Sequence, residues 1–505
     1  MGDISQIPLA KSVTPQSLSP VDLDNIQGDI LEGLAKKRQT FFFFRINKNQ
    51  AAAFRTQLAH LIPFITSAAV ARRFRGEIKD AKRKAAESGR SIGLIDNSAV
   101  NISFSQKGLN VLSITDDIND EPFKKGQQAD AVSRLGDRLE DWDEKFKQDI
   151  HGVFLVTGNS RHLLDAAWNN VKHIFHVGQK DAGIEVVKEL VGHTRPGAED
   201  GHEHFGFNDG LTQPSVKDIT LVDQDGTDPP VRQGIALVGR EGDNGVVTPP
   251  ATEAPGPFAR PAWAIDGSFL AFRYLKQLVP EFDDFLERNA LDVPIGAPPQ
   301  AGADLLGARL VGRWKSGAPI DLTPIQDDPS LAVPGKNQAF RFEKNNQEKC
   351  PFAAHIRKTN PRADLDQADG TVGTEARRIL RRGIAFGPEV TPAEKKNKKS
   401  SRDEKLERGL LFACYQSNIA NGFEFIQQSW VNNKAFPFPQ GVPEPGFDPL
   451  IGVPLDGSQR RMVGTNPKAL GNELDLTAEW VISRGGEYFF SPSISSLKGT
   501  FAKKA

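Results

Sequence analysis

A strand-like run followed by an amphipathic helical stretch recurs four times along this chain, twice in each half, and that recurrence limits the fold more than any other feature. Thr40 to Ile46 is strand-like, and Phe54, Leu58 and Leu61 after it share one helical face. Gly152 to Thr157 leads in the same way into Leu164, Ala167, Trp168, Val171 and Phe175. The unit returns as Ser268 to Tyr274 with Leu278, Phe282, Phe285 and Leu286, and again as Gly409 to Tyr415 with Phe423, Ile426 and Trp430. Strand and helix alternating in two similar halves imply an α+β duplication. Gly239 to Pro261, with Val246-Val247-Thr248-Pro249-Pro250 and Ala254-Pro255-Gly256-Pro257, is too rich in Pro and Gly for regular structure. The expected organisation is a tail at 1–20, a first domain at 21–238, a linker at 239–261 and a second domain at 262–505.

Composition supports large folded domains and excludes several partners. The chain has 505 residues, 38% of them hydrophobic, which supplies a sizeable core. A formal net charge of -1 points to no nucleic-acid or anionic-membrane partner. No apolar run approaches the roughly 20 residues of a spanning helix. Met1 to Pro20 lacks a basic segment followed by an apolar one, so no secretory signal is expected in the chain as given. The basic runs Arg72 to Arg90 and Lys395 to Lys405 read as solvated helix or loop. Two cysteines, Cys350 and Cys414, are too few for a disulfide framework and lack zinc-ligand spacing.

Two short segments carry chemistry. Gly206-Phe207-Asn208-Asp209-Gly210 sets a carboxylate between turn-forming glycines, which by itself is equally an ordinary loop acid. Cys350-Pro351-Phe352-Ala353-Ala354-His355-Ile356-Arg357 holds an isolated histidine that Pro351 can place on a short helix. His202-Glu203-His204 offers a separate reading as a metal pair on one strand face, although no third ligand is evident.

Seven segments in order resemble the dye-decolorizing peroxidases, in particular their fungal branch. They are Ile26-Gln27-Gly28-Asp29-Ile30-Leu31, the Asp209 segment, Val311-Gly312-Arg313-Trp314, the His355 segment, Arg381-Arg382-Gly383-Ile384-Ala385-Phe386-Gly387, Gly409-Leu410-Leu411-Phe412, and Gly485-Gly486-Glu487-Tyr488-Phe489-Phe490. The resemblance implies two ferredoxin-like domains with antiparallel sheets facing each other, and one haem b held mainly by the second. It implies a peroxidase that takes hydrogen peroxide and oxidises dyes, phenols and lignin-like aromatics, acting outside the cell as a monomer or homodimer. A non-catalytic haem carrier on the same fold is the rival reading; it would keep His355 without needing both Asp209 and Arg381.

By the same resemblance each role falls on a numbered residue. His355 is the iron ligand, Asp448 in Gly446-Phe447-Asp448-Pro449 accepts from its second ring nitrogen, and small Ala353 and Ala354 let a flat macrocycle approach. Cys350 stays open as a thiolate alternative. Arg357 is expected to pair with a haem propionate. Asp209 moves the peroxide protons. Arg381 stabilises developing charge, with Arg382 as the alternative. Leu410 and Phe412, alternating with Leu411 and Ala413, are expected on the distal wall. Trp430 matches a tryptophan that relays electrons from the surface in fungal members, yet its spacing from Phe423 and Ile426 equally reads as core. Phe386 stands where some relatives have tyrosine, which argues against a second radical site there. The Lys395 to Lys399 run argues against a manganese patch nearby.

Overall fold

The computed structural model describes residues 20–89, 93, 95–208, 210–220, 228–245, 256–365, 373–439, 441 and 444–503. Among the described residues there are eleven strands: β1 (Arg38–Ile46), β2 (Ser98–Phe104), β3 (Gly152–Gly158), β4 (Ile184–His193), β5 (Ser268–Gln277), β6 (Leu380–Arg381), β7 (Ile384–Phe386), β8 (Gly409–Gln416), β9 (Arg461–Met462), β10 (Leu474–Asp475) and β11 (Val481–Ser491). The first half runs β1, helix Ala51–Leu61, β2, β3, helix Arg161–Ile174, β4, and its strands lie in the order β2-β3-β1-β4. The second half repeats this with β5, helix Val279–Arg288, the short β6 and β7, then β8, the helical segment around 423–431, and β11, in the order β11-β5-β8-β7. Both are the ferredoxin-like arrangement. Every pairing within the large sheet is antiparallel.

The two sheets do more than face one another. β11 pairs with β2 through Phe490 and Phe104, and β4 pairs with β7 through Gly192 and Phe386. Together with β5 against β8 these contacts close a ring, so neither half keeps a bare edge. Period-two alternation then divides the side chains. Phe41, Phe43, Leu155, Leu270, Phe272 and Phe489 fill the interior, whereas Phe42, Phe44, Phe154, Phe269 and Phe490 point outward under helices. The outer layer is tight; Trp168 of helix Arg161–Ile174 stacks on Phe42 with ring centroids 3.6 Å apart.

The Pro/Gly-rich stretch between the halves lies partly outside the described residues, at 246–255. Its ends are anchored in the core, because the fully buried Arg260 makes a bidentate pair with Asp243 at 2.9 and 2.8 Å. The segment Ile26 to Leu31 is a second fastener. Gln27 donates to the carbonyls of Ile102 and Pro492, both at 2.9 Å, which ties β2 to the end of β11.

At the β4–β7 seam a Cβ on Gly192 would run into Ile384. Gly192→Val should therefore destabilise the protein by about 1–3 kcal/mol, the usual cost of overpacking. Urea midpoints, compared with those of the exposed-site control Val191→Ala, provide the measurement; equal midpoints would show that the seam tolerates the extra volume.

Candidate active site

Where β5 and β8 leave the interior core, their alternate side chains face a cavity of about 280 Å³ instead. Leu275 of β5 and Leu410 and Phe412 of β8 form one wall, and Val311, His355 and Ile426 contribute from the helical side. Leu411 and Ala413, between the two cavity residues of β8, are fully buried in the barrel interior.

His355 begins the short helix His355–Thr359. Its Nδ1 lies 2.8 Å from Oδ2 of Asp448, 93 residues later in the chain. Asp448 is completely buried, and its Oδ1 accepts the backbone N–H groups of Leu450 and Ile451 at 2.8 and 3.0 Å. Burial opposes ionisation of this carboxyl, but His355 and the two N–H donors outweigh it and hold the group below the usual carboxylate range. An acceptor of this kind places the imidazole proton on Nδ1 and leaves Nε2 as a lone-pair donor at the cavity. Gly446 permits the approach of this loop, since its φ is +105° and a Cβ there would meet the carbonyl of Arg461.

Several residues of the His355 segment do not lie where the sequence suggested. Arg357 does not line the cavity; it is 1% exposed and clamped by Asp364 through Nε at 2.7 Å and Nη2 at 2.6 Å. Its Nη1 donates to the carbonyls of Asn346 and Cys350 at 2.8 and 2.7 Å, and its plane lies against Phe342 and Phe352. A guanidinium with its fork already filled is a structural tie, not a propionate partner. Ala353 and Ala354 are likewise fully buried, packed towards the helix Ala301–Val311. Cys350 is 1% exposed and does not line the cavity, and burial pushes its thiol up to about 12, which disfavours the thiolate.

Cations collect at another part of the wall, where Arg313, Arg362, Arg377, Arg378 and Arg381 line the cavity. Burial, and then the neighbouring Arg362 and Arg381, lower Arg313 to about 9; burial likewise lowers Arg362 to about 10. Arg378 gives Nη2 to Asp228 at 2.8 Å, while its buried Nη1 has no hydrogen-bond partner among the described residues. Crowded, partly unsatisfied guanidinium groups beside an apolar cavity suit a flat ligand with anionic arms. Sequence reasoning gave a role to Arg381 but none to Arg313, Arg362, Arg377 or Arg378, although Arg313 lies inside one of the seven segments.

The distal residues separate cleanly. Arg381 lines the cavity, with its backbone N–H donating to Gln213 Oε1 at 2.9 Å and Nη2 to the carbonyl of Thr212 at 3.4 Å. Arg382 points away from it and donates to the carbonyls of Asp29, Ile30 and Leu31 at 2.7, 3.0 and 2.7 Å. Asp209 lies outside the described residues, and the segment before it is held by hydrogen bonds. Glu203 accepts the N–H groups of Phe205 and Phe207, both at 2.9 Å, and receives Gln277 as a third donor. His204 donates from Nε2 to the carbonyl of Phe386 at 2.8 Å. Neither histidine of His202-Glu203-His204 belongs to a metal-like cluster; among the described residues no group of three His, Cys, Asp or Glu side chains could hold an ion. Trp430 is 4% exposed, stacked on Phe436 at 5.1 Å, so it is not the surface residue its resemblance implied.

Two protein-family models cover most of the chain: the DyP dimeric alpha+beta barrel domain matches residues 25–196, and the C-terminal region of Dyp-type peroxidases matches 257–436. A dye-decolorizing peroxidase of Mycena epipterygia is 40% identical over 507 residues, spanning 95% of this chain and 87% of the relative. A solved ancestral D-type dye-decolorizing peroxidase superposes with a TM-score of 0.85 at 51% identity, over 96% of this chain and 100% of the other. A further solved dye-decolorizing peroxidase, in complex with 2,6-dimethoxyphenol, does so with a TM-score of 0.81 at 41% identity, again over 96% and 100%.

The buried His204 ties the Asp209 loop to the barrel seam and sets an acid limit on it. Burial, and then the charge of Arg195, lower its pKa from 6.5 to about 4, so folding favours the neutral ring. The associated stability is complete above pH 6.5 and declines as pH falls towards 4, amounting to about 2 kcal/mol by pH 5. Urea midpoints at pH 7.5 and pH 5 should show a smaller acid loss in His204→Gln than in the parent. An identical loss in both proteins would assign the acid sensitivity to other groups.

Proposed function

This chain belongs to the dye-decolorizing peroxidase family, and we propose that its cavity would hold one haem b, with His355 as the residue that binds its iron. The family's enzymes are haem-dependent, and the protein is a hydrogen-peroxide-dependent oxidoreductase of this kind. The observation that carries the assignment of the site is the buried Asp448 carboxylate on Nδ1 of His355, 2.8 Å away, which prepares the other ring nitrogen to bind a metal. When bound, the haem iron supplies the site at which peroxide is reduced and from which aromatic molecules are oxidised one electron at a time.

The chain's own residues divide the remaining work. Arg313, Arg362 and Arg378 are the proposed propionate partners in place of Arg357, supported by their crowding and by the unpartnered Nη1 of Arg378. Asp209 takes a proton from one peroxide oxygen and returns it to the other, which leaves as water. Arg381 offsets the negative charge that develops on that leaving oxygen. Leu410 and Phe412 keep the same wall apolar and narrow, so bulky reductants do not reach the reacting atoms.

Electrons from such reductants therefore travel through protein. Trp430 is the proposed internal step, because Ile426 and Gln427, one turn before it on the same helical segment, line the cavity. The solved relative with 2,6-dimethoxyphenol supports phenols as a reductant class for this chain. An extracellular place of action is part of the same proposal and rests on the family resemblance alone.

Rapid mixing of the haem-loaded protein with peroxide isolates the first step. Asp209→Asn should slow it by at least about 100-fold with haem retained, and Arg381→Leu should slow the same step. If Asp209→Asn reacts at the parent rate while Arg381→Leu does not, the arginine carries the chemistry and the role given to the aspartate is wrong. For the relay, Trp430→Ser should depress turnover of bulky dyes far more than that of a small reductant. A tryptophan that served only as core would instead lower stability by about 3–5 kcal/mol and impair all substrates together.

A further inference from the structure

We propose that Phe438 is the docking platform for the aromatic ring of bulky reductants, and that the ring ladder Phe438, Phe436, Trp430 carries their electrons inward. The proposal rests on the reading of Trp430 as a relay. With only 4% of Trp430 exposed, a bulky substrate needs another surface contact from which to reach it.

Phe438 has what such a contact requires. It is 65% exposed, the most exposed phenylalanine among the described residues. Its φ is +62°, a left-handed conformation that a bulky side chain adopts only at a cost of roughly 1–3 kcal/mol. An exposed aromatic kept in a strained conformation gains nothing for the core. Its ring meets Phe436 edge-on at 5.6 Å, and Phe436 is stacked on Trp430 at 5.1 Å with planes 11° apart. From Trp430 the contacts continue to Phe425 at 5.6 Å, and Phe425 lies 3.3 Å beneath the guanidinium of the cavity residue Arg377. Aromatic rings are thus in contact from the surface to the cavity wall.

The ladder is also rigid. Lys358, on the helix that carries His355, donates from Nζ to the carbonyls of Asn433 and Phe436 at 2.7 and 2.6 Å, which fixes the turn leading to Phe438. Lys434 and Glu444, the nearest charged residues along the chain on either side of Phe438, pair with each other at 3.4 Å. Recognition therefore falls on the face of an aromatic ring and not on the sign of the substrate's charge. In the transfer step the substrate loses one electron, which passes along the rings to the peroxide-oxidised cofactor; for a phenol the O–H proton leaves to water.

Binding and turnover test the two parts separately. Equilibrium ultrafiltration of the resting holoenzyme with an anthraquinone dye, without peroxide, should show Phe438→Ala binding about two- to tenfold more weakly, the range of one aromatic contact. Phe438→Tyr should restore parent binding. In turnover, Phe438→Ala should raise KM for the dye and for a bulky neutral phenol dimer alike, while a small reductant such as hydroquinone keeps parent kinetics. Unchanged dye binding in Phe438→Ala, or a loss confined to the anionic dye, overturns the proposal. Trp430→Ser should keep parent dye binding but lose dye turnover. If it keeps turnover as well, the relay reading fails, whereas the docking site still stands or falls on the Phe438 binding data.

Discussion

Closure of the sheet is the constraint on which the site depends. Each four-stranded half ends in an edge of unpaired N–H and C=O groups, and each edge is covered by the other half at a single register position, Phe490 with Phe104 and Gly192 with Phe386. The second seam sits next to the chemistry. β7 is separated from Arg381 by only two residues, and the carbonyl of Phe386 anchors His204 in the loop that carries Asp209. The pairing that completes the barrel thus joins the strand that follows Arg381 to the anchor of the segment that precedes Asp209. A shift of one residue there would turn the alternate side chains of β7 to the opposite face.

The charge distribution around the cavity has one consistent physical logic. Buried charges elsewhere are paired tightly, as in Arg260 with Asp243, Arg357 with Asp364, and Arg408 with Glu394, where both partners are almost wholly inaccessible. The cavity arginines differ, because they lower one another's affinity for protons and Arg378 keeps a donor with no partner among the described residues. Like charges gathered in a desolvated wall are costly unless an anion joins them. On the side of His355, the proposed iron ligand, the same low dielectric acts in reverse, since burying Asp448 strengthens its hydrogen bond to His355 and fixes the tautomer.

Much of this was legible in the sequence because it repeats or alternates. Four strand-plus-helix units gave the duplicated α+β fold, and alternation along Gly409 to Tyr415 separated Leu410 and Phe412 from Leu411 and Ala413. What failed was inference from proximity along the chain. Arg357 follows His355 by two residues, yet a helix of five residues turns it into the protein, where Asp364 meets it. Arg313, far from His355 in sequence, does reach the cavity, as do Arg362, Arg377, Arg378 and Arg381. Arg381 ends β6 and Arg382 follows it, and the two point to opposite sides, a choice that the backbone makes and that composition does not encode.

Trp430 shows how a sequence pattern can carry two roles at once. Its spacing from Phe423 and Ile426 is that of a buried stripe, and the side chain is indeed buried, in a cluster with Ile426, Val431 and Phe436. Burial is compatible with the relay proposed for it, whose point of contact then lies further out. An indole in an apolar, close-packed setting is shielded from water and held at fixed ring distances on both sides, 5.6 Å to Phe425 and 5.1 Å to Phe436. Rigid spacing favours transfer along one route, and shielding protects an oxidised ring from solvent. Core packing and the proposed electron relay therefore ask the same thing of this residue, and only the ring beyond it, at Phe438, is given up to solvent.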